Sequence, residues 1–224
     1  MIPWELLDSA LIPDNGGELR LYRRGSELSI RADGQELMNS RVHDSEEVLA
    51  RLGCGPVGAR RKVRVLVGGL GMGFTLAETL RQVRQDAEVV VAELVPAVVN
   101  WNRSHLGHLA GFPLDDPRVR VHTGDVAELL RTERDHYDAI LLDVDNGPEG
   151  FTRKANDWLY ARSGLRHAHT ALRAQSVLAV WSAGGDREFT QRLTRGGFRV
   201  EEVSAKSRGR RGGSRHHIWL ATRD

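Results

Sequence analysis

A glycine run and three carboxylates follow four separate apolar segments of the chain. The glycine run occupies positions 68–73, and its alternate glycines are Gly69, Gly71 and Gly73. The carboxylates that follow the other segments are Glu93, Asp125 and Asp143. Glycines let the backbone approach a ligand closely, and carboxylates accept hydrogen bonds from sugar hydroxyls and ring amino groups. This set of residues is typical of a nucleoside-binding site.

The spacing of the glycines distinguishes between kinds of nucleotide. They form G-x-G-x-G, whereas the dinucleotide fingerprint G-x-G-x-x-G fails because Phe74 occupies its last position. The phosphate loop G-x-x-x-x-G-K-[ST] is also absent from the sequence. The pattern therefore favours an adenosyl group, with Glu93 at the ribose and Asp125 at the adenine edge.

Each of these features has a simpler explanation when taken alone. The glycine run could reflect tight packing, Glu93 could be an exposed loop acid, and Asp125 could cap the next helix. Asp143 could be a solvated carboxylate at the end of a strand. Their recurrence at four successive strand ends favours a site, because ligands of open α/β sheets bind outside the carboxyl ends of the strands.

The segment that begins at Asp143 carries the candidate catalytic groups. A carboxylate beside a protonated nucleophile can act as its base or orient it. We expect Asp143 in that role, assisted by Asp145, with Asn146 contacting the substrate. A plain turn explains Asn146 equally well. Trp158 and Tyr160 are predicted to wall the substrate pocket, although packing of an amphipathic helix explains them about as well.

The elements that must position these residues alternate between strand and helix from Lys62 onward. Strands are predicted at 63–67, 88–92, 119–122, 139–142, 177–181, 198–205 and 217–221. Helices are predicted at 76–85, after Pro96, at 126–134, within 156–172 and at 187–194, the first opened by a capping box of Thr75 and Glu78. This order predicts an α/β fold, a Rossmann-like, doubly wound, mostly parallel seven-stranded sheet that ends in an antiparallel hairpin.

The first sixty residues have a different pattern. Segments 18–23 and 27–32 alternate apolar and polar residues, a third strand is predicted at 35–38, and a helix at 46–52. This antiparallel β module is too small to hold a core alone, so it should pack on the remainder or on a second subunit. We predict an N-terminal module with a linker over 1–60 and a nucleoside-binding catalytic domain over 61–224.

Composition excludes several function classes. The chain has 32 Lys and Arg against 30 Asp and Glu, which gives no indication of nucleic-acid binding. No apolar run is long enough to span a membrane, and segment 1–13 lacks the basic start of a signal peptide. The single cysteine, Cys54, fits a reducing compartment. We therefore expect a soluble, cytoplasmic protein that acts on a small-molecule substrate.

Two further features bear on ligand binding. The histidines show no spacing typical of a metal site, so no metal is expected. The arginine-rich segment from Arg208 to Arg215 could contact an acidic substrate, or it could be a solvated hairpin tip.

Several stretches of the sequence resemble a known family. The runs VRVLVGGLGMGFTL, VVVAELVPAVV, DPRVRVHTGDVAELL and YDAILLDVDNGP are similar to the spermidine synthase (polyamine aminopropyltransferase) family. The run ELSIRADGQELMNSRVHDSEEVLARL is similar to its N-terminal strand module. The resemblance implies a class I methyltransferase-type fold and a homodimer. It also implies that Glu93 and Asp125 hold the nucleoside and that Asp143 faces the substrate amine.

The sequence departs from the family pattern at three places. Leu70 and Met72 stand where the family's glycine loop carries an aspartate, Ser45-Glu46-Glu47 replaces a Tyr-His-Glu, and Asn146 replaces a second aspartate. These positions select a polyamine and a decarboxylated cofactor. The sequence therefore favours methyl transfer from S-adenosylmethionine to a small amine or other nucleophile. It leaves open aminopropyl transfer from decarboxylated S-adenosylmethionine and non-catalytic nucleoside binding.

Overall fold

The computed structural model describes residues 2–13, 17–144, 157–206 and 213–224. A four-stranded antiparallel sheet comes first, in the order β1-β2-β3-β4. Its strands are β1 (Glu5–Leu11), β2 (Glu18–Arg24), β3 (Glu27–Ala32) and β4 (Gln35–Asn39), and helix α1 (Asp44–Cys54) follows.

The second sheet has seven strands in the order β10-β11-β9-β8-β5-β6-β7. They are β5 (Arg64–Gly68), β6 (Glu88–Glu93), β7 (Val119–Thr123), β8 (Tyr137–Leu142), β9 (Leu172–Ser182), β10 (Arg199–Lys206) and β11 (Arg215–Arg223). β5 to β9 pair in parallel, and β10 and β11 form the antiparallel C-terminal hairpin. The predicted fold class is confirmed.

Helices connect the parallel strands and cover both faces of the large sheet. They are α2 (Phe74–Gln82), α3 (Pro96–Ser104), α4 (Val126–Thr132), α5 (Asp157–Tyr160), α6 (Arg162–Ala171) and α7 (Arg187–Arg195), with short 3₁₀ turns at Gly107–Leu109 and Pro113–Asp115. Every residue of β8 is buried, as expected of a strand covered on both faces. No helix in the described ranges is long and apolar enough to cross a bilayer.

Strand β1 is absent from the sequence prediction. Its residues do not alternate between buried and exposed, and its pairing with β2 contains a bulge between Leu6 and Asp8, so the period-two signal is lost. The Asp8 carboxylate accepts a hydrogen bond from Trp101 Nε1 at 2.7 Å. This contact ties the edge strand to helix α3 of the large sheet.

Helix α1 joins the two sheets. Cys54 and Val57, in the segment predicted as a linker, are fully buried. Burial raises the pKa of the Cys54 thiol to about 12, which leaves it unreactive at neutral pH. Gly53, Cys54 and Val57 therefore pack in the core, while the division of the chain at residue 60 stays a prediction.

Gly53 lies where α1 packs against the large sheet. A Cβ at this position would lie 2.2 Å from Leu141 Cδ2 and 3.0 Å from Ala179 Cβ. We therefore expect Gly53→Ala to lower the free energy of unfolding by about 1–3 kcal/mol through overpacking. Gly184→Ala is the matched control, because a Cβ there meets nothing within 4 Å. Urea denaturation of both variants measures the difference, and equal stability would contradict the packing argument.

Candidate functional site

The glycine loop links β5 to α2 at the carboxyl edge of the large sheet. Gly69, Gly71 and Gly73 have φ values of +92°, +51° and +84°, a region that L side chains rarely adopt. A Cβ on Gly69 would lie 2.3 Å from the Asp143 carbonyl oxygen. These positions therefore require glycine for backbone conformation and, at Gly69, for close approach to the chain after β8.

Glu93 ends strand β6 and braces the glycine loop. It is 8% exposed, and its two carboxylate oxygens accept hydrogen bonds from the backbone N–H groups of Leu70 (3.0 Å) and Val95 (2.9 Å). Burial raises the pKa of Glu93, and the backbone donors oppose that shift. These backbone donors fix the orientation of the Glu93 carboxylate at the carboxyl edge of the sheet.

Asn102 of α3 also fixes the glycine loop by hydrogen bonding, and sequence reasoning did not identify it. Its side-chain amide donates to the carbonyl oxygens of Gly71 (2.8 Å) and Val98 (2.9 Å). A Cβ on Gly73 would lie 3.0 Å from Asn102 Oδ1. Gly73 therefore allows α3 to approach the loop.

A first cavity lies against this loop and brings most of the predicted site residues together. Its polar lining residues include Glu93, Asp125 and Asp143, and Gly69 and Gly71 border it as well. Gly73 does not line it. The N-terminal sheet and its edge supply an apolar wall of Ile12, Leu19, Ile30, Leu37 and Met38. The small sheet therefore forms part of the site of the same chain.

Asp125 has the capping role that its place in the sequence allows, and it also faces the first cavity. It is the N-cap of α4, and its Oδ1 accepts a hydrogen bond from Ala127 N at 2.8 Å. One side chain can serve both purposes, because a carboxylate that binds one N–H keeps further acceptor positions.

A second cavity adjoins the first. The two share Leu37, Met38, Gly71 and Asp143. Polar residues of the second cavity include Asn39, Glu46 and Thr75, and its apolar residues include Leu70, Met72, Phe74 and Trp181. Asp143 therefore lies where the first cavity meets the second cavity, and the second cavity also contains the carboxyl group of Glu46.

Asp143 and Glu46 are the two carboxyl groups of this second cavity. Burial raises the pKa of both, and the negative charge of Asp143 raises that of Glu46 further. Thr75 Oγ1 donates to Asp143 Oδ2 at 2.5 Å, which opposes the rise in the pKa of Asp143. The pair therefore retains a proton to higher pH than isolated carboxyl groups and attracts a cation.

The predicted capping box at Thr75 is wrong. Helix α2 begins at Phe74, and its N-cap residue is Gly73 in the left-handed conformation. Glycine has no side chain that could cap the helix. The Thr75 hydroxyl bonds to Asp143, and the carboxylate of Glu78 is engaged by Gln82 (2.7 Å) and Arg81 (3.0 Å). The conformation of the glycine loop places Gly73 at the N-cap position, so Thr75 and Glu78 cannot form the predicted capping box.

Trp158 and Tyr160 line neither cavity. The Arg131 guanidinium lies 4.0 Å from the Trp158 ring centroid, and the Tyr160 hydroxyl donates to the Val144 carbonyl oxygen at 3.2 Å. Tyr160 thus supports the chain directly after Asp143. Their role as a substrate wall stays a prediction, and the predicted Asp145 and Asn146 lie outside the described residues, as do positions 208–212 of the arginine-rich segment.

His43, Asp44 and Glu47 form a group of potential metal ligands in the described ranges. Their ligand atoms lie within 4.8 Å of one another. Glu47 already contacts His43 at 3.0 Å and Arg51 at 3.3 Å. The positive charge of Arg51 makes it less favourable for this group to bind a metal cation. The absence of a metal site stays a prediction.

The profile described as "Spermine/spermidine synthase domain" matches residues 43–191. The chain belongs to the spermine/spermidine synthase family. The matched range contains the glycine loop and Glu46, Glu93, Asp125 and Asp143. The family predicted from the sequence motifs is therefore confirmed.

Two kinds of curated relative in this family are similar to the chain. A polyamine aminopropyltransferase of Korarchaeum cryptofilum is 31% identical over 81 residues, which are 36% of this chain and 25% of the relative. A putrescine N-methyltransferase of Nicotiana tabacum is 33% identical over 98 residues, 43% of this chain and 27% of the relative. The aligned part of the chain thus spans about a quarter of the length of these relatives.

Solved spermidine synthases share the fold. The enzyme of Thermotoga maritima has a TM-score of 0.76 at 17% identity, over 98% of this chain and 73% of that one. A probable spermidine synthase of Corynebacterium glutamicum has a TM-score of 0.64 at 14% identity, over 99% and 80% of the two chains. Both sheets of the present chain therefore belong to the shared architecture.

Glu46 is the residue of this spermidine synthase-like site that sequence reasoning missed. The sequence identified it only as a departure from a family tripeptide, 97 positions before Asp143. The structure places it in the first turn of helix α1. The only sequence feature that could have identified Glu46 was its position in the N-terminal module, shortly before the first strand of the large sheet.

The raised pKa of Glu46 predicts a dependence of stability on pH. The folded protein, in which this pKa is about 7, holds the proton at pH values where the unfolded chain, with an ordinary carboxyl pKa of 4.5, has lost it. The free energy of unfolding therefore falls as the pH rises between these two values, by at most about 1.4 kcal/mol per pH unit. Replacing Glu46 by Gln should remove this contribution. The free energy of unfolding of the variant should therefore rise relative to that of the wild type as the pH increases from 5 to 8.

Urea denaturation at several pH values measures the effect of Glu46→Gln. Glu188→Gln on α7 is the control, because the Glu188 side chain is 86% exposed and lines neither cavity. Parallel stability curves for the wild type and Glu46→Gln would contradict the assignment.

Proposed function

We propose that this protein transfers an alkyl group from an S-adenosylmethionine-type sulfonium nucleoside to an amine. The observation that carries the proposal is the position of Asp143. Its partly buried carboxyl group borders both the cavity behind the glycine loop and the pocket that contains Glu46. A base at the junction of a nucleoside site and a cation-attracting pocket is the arrangement that amine alkylation needs.

The residues of the first cavity fit a nucleoside. Glu93 would accept hydrogen bonds from the ribose hydroxyls and Asp125 from the adenine edge, while Gly69 and Gly71 leave room beside the backbone. The apolar wall from the N-terminal sheet would cover the ring and exclude water. A bound sulfonium supplies an electrophilic carbon, and the protein supplies position and proton transfer.

Asp143 acts on the acceptor. An amine arrives protonated at neutral pH, and its nitrogen becomes nucleophilic only after it loses a proton. Asp143 takes this proton, and Glu46 keeps the region negative enough to attract the incoming cation. The nitrogen lone pair then forms the new N–C bond, and the electron pair of the broken C–S bond stays on sulfur.

Methyl transfer is the first candidate for the group that moves. Leu70 and Met72 present apolar side chains to the second cavity where the family carries an aspartate for the donor's amino group. The putrescine N-methyltransferases of Nicotiana show that the family includes relatives named for methyl transfer. These two observations favour S-adenosylmethionine as donor.

Aminopropyl transfer from decarboxylated S-adenosylmethionine is the second candidate. It is favoured by the similarity to polyamine aminopropyltransferases of Korarchaeum cryptofilum and Caldanaerobacter subterraneus. The Glu46 and Asp143 carboxyls would then attract either the aminopropyl ammonium of the donor or the acceptor. In both cases we propose that the protein is a homodimer and that it acts in the cytoplasm. We propose a small molecule as its substrate, rather than nucleic acid or a membrane.

A product assay separates the candidates. The protein is incubated with either donor and with putrescine or other short amines, and the nucleoside product is identified by chromatography. S-adenosylhomocysteine indicates methyl transfer, and methylthioadenosine indicates aminopropyl transfer. Calorimetric binding of a donor without turnover would favour a nucleoside-binding protein that has lost catalysis, and the absence of binding would overturn the proposal.

A further inference from the structure

A chain of hydrogen bonds runs from Glu46 away from the second cavity. Ser45 Oγ donates to Glu46 Oε2 at 2.6 Å, and His216 Nδ1 lies 2.9 Å from the same Ser45 oxygen. Ser45 is fully buried, whereas His216 on β11 is only partly buried. The two residues are 171 positions apart in the sequence, so the contact depends on the packing of α1 against the C-terminal hairpin.

The surroundings of His216 suit a group that takes up a proton and releases it. On β9, the Trp181 ring lies edge-on at 4.7 Å from the imidazole. On β10, the residue opposite His216 is the uncharged Ala205. Burial and the neighbouring His217 lower the pKa of His216. A histidine with a lowered pKa returns its proton readily to solvent at neutral pH.

We propose that the proton taken from the acceptor amine leaves the site through Glu46, Ser45 and His216. The inference rests on the proposed transfer reaction. The amine nitrogen gives its proton to the carboxyl pair of Asp143 and Glu46. Glu46 passes a proton to Ser45 Oγ, the Ser45 hydroxyl passes its own to His216 Nδ1, and Nε2 releases one to water. The imidazole is then neutral with its proton on Nδ1, and tautomerisation through solvent returns that proton to Nε2 before the next amine binds.

This path gives the departure at positions 45–46 a role in the proposed reaction. Serine is the smallest side chain that can both donate and accept a hydrogen bond. It fits the fully buried position on α1 and connects Glu46 to a histidine on another element. Ser45 and His216 therefore act through Glu46 as positioning residues and do not touch the reacting atoms.

Ser45→Ala and His216→Gln test the relay. We expect each to lower kcat by about 10- to 100-fold, within the lower range for lost proton transfer, with the donor Kd unchanged. The acidic side of the kcat–pH profile should shift as well, because the groups that accept the proton must be unprotonated. Added imidazole should partly restore the activity of the smaller variant His216→Ala. His136→Gln is the control, because His136 precedes β8 at the end opposite Asp143 and contacts Glu133 at 3.2 Å. Unchanged kcat and pH profiles in both relay variants would overturn the proposal.

A measurement without turnover separates the relay from the reaction. The titration of His216 is followed by NMR in the wild type and in Glu46→Gln. If the chain of hydrogen bonds connects the two groups, loss of the Glu46 charge changes the pKa of His216. An unchanged His216 titration contradicts the relay even if the protein is an active transferase. A changed titration in a protein without turnover supports the connection and rejects the proposed reaction.

Discussion

Asp143→Asn is expected to lower kcat by about 10²- to 10⁴-fold, the usual contribution of a positioned base. The amide cannot take a proton from the amine, but it keeps the shape of the side chain. Thr75 can still donate to the remaining oxygen, so the hydrogen bond at 2.5 Å retains an acceptor. Binding of the donor nucleoside, measured by calorimetry, should change little.

The control for Asp143→Asn is Asp135→Asn. Asp135 precedes the same strand β8 at its opposite end, and its side chain is 68% exposed. We expect this variant to keep the wild-type kcat. An Asp143→Asn enzyme that retains full activity at every pH would show that another group removes the amine proton.

Glu93→Gln is expected to weaken nucleoside binding by about 10²-fold or more. Each charge-assisted hydrogen bond contributes about 1.5–3 kcal/mol, and about 1.4 kcal/mol corresponds to a factor of ten in Kd. The amide also turns a donor towards either Leu70 N or Val95 N, both of which are donors themselves. The variant therefore loses ribose contacts and loosens the glycine loop together.

Calorimetric titration with S-adenosylmethionine or S-adenosylhomocysteine measures this loss. Glu88→Gln provides the comparison, because Glu88 begins the same strand β6 and its side chain is 42% exposed. It should bind the nucleoside as the wild type does. Equal affinities for Glu93→Gln and the wild type would remove Glu93 from the ligand site and leave it only its structural hydrogen bonds.

The sequence predicted the large sheet and one wall of the site because both depend on local patterns. Continuous apolar runs such as that of β8 identify strands covered on both faces, and parallel strands bring their carboxyl ends to one edge. Glu93, Asp125 and Asp143 therefore lie around one cavity, as expected from their places after the strands.

The rest of the site depends on contacts between distant segments. Glu46 joins Asp143 only because α1 packs on the large sheet, and no periodicity in the sequence encodes that docking. Thr75 had a plausible local partner in Glu78, yet its hydroxyl bonds to Asp143. Strand β1 was missed because a bulged, largely exposed edge strand lacks the alternation by which strands are recognised.

The hydrogen bonds from Asn102 and Glu93 to the glycine loop have a thermodynamic consequence for ligand binding. Gly71 is held through its carbonyl oxygen and Leu70 through its N–H, so the loop has a defined course without any ligand. A nucleoside that enters such a preorganised site immobilises little additional backbone, and most of its contact free energy is retained as affinity. We therefore expect small changes in backbone amide hydrogen exchange at 69–73 on saturation, and a binding entropy governed by released water rather than by ordering of the chain.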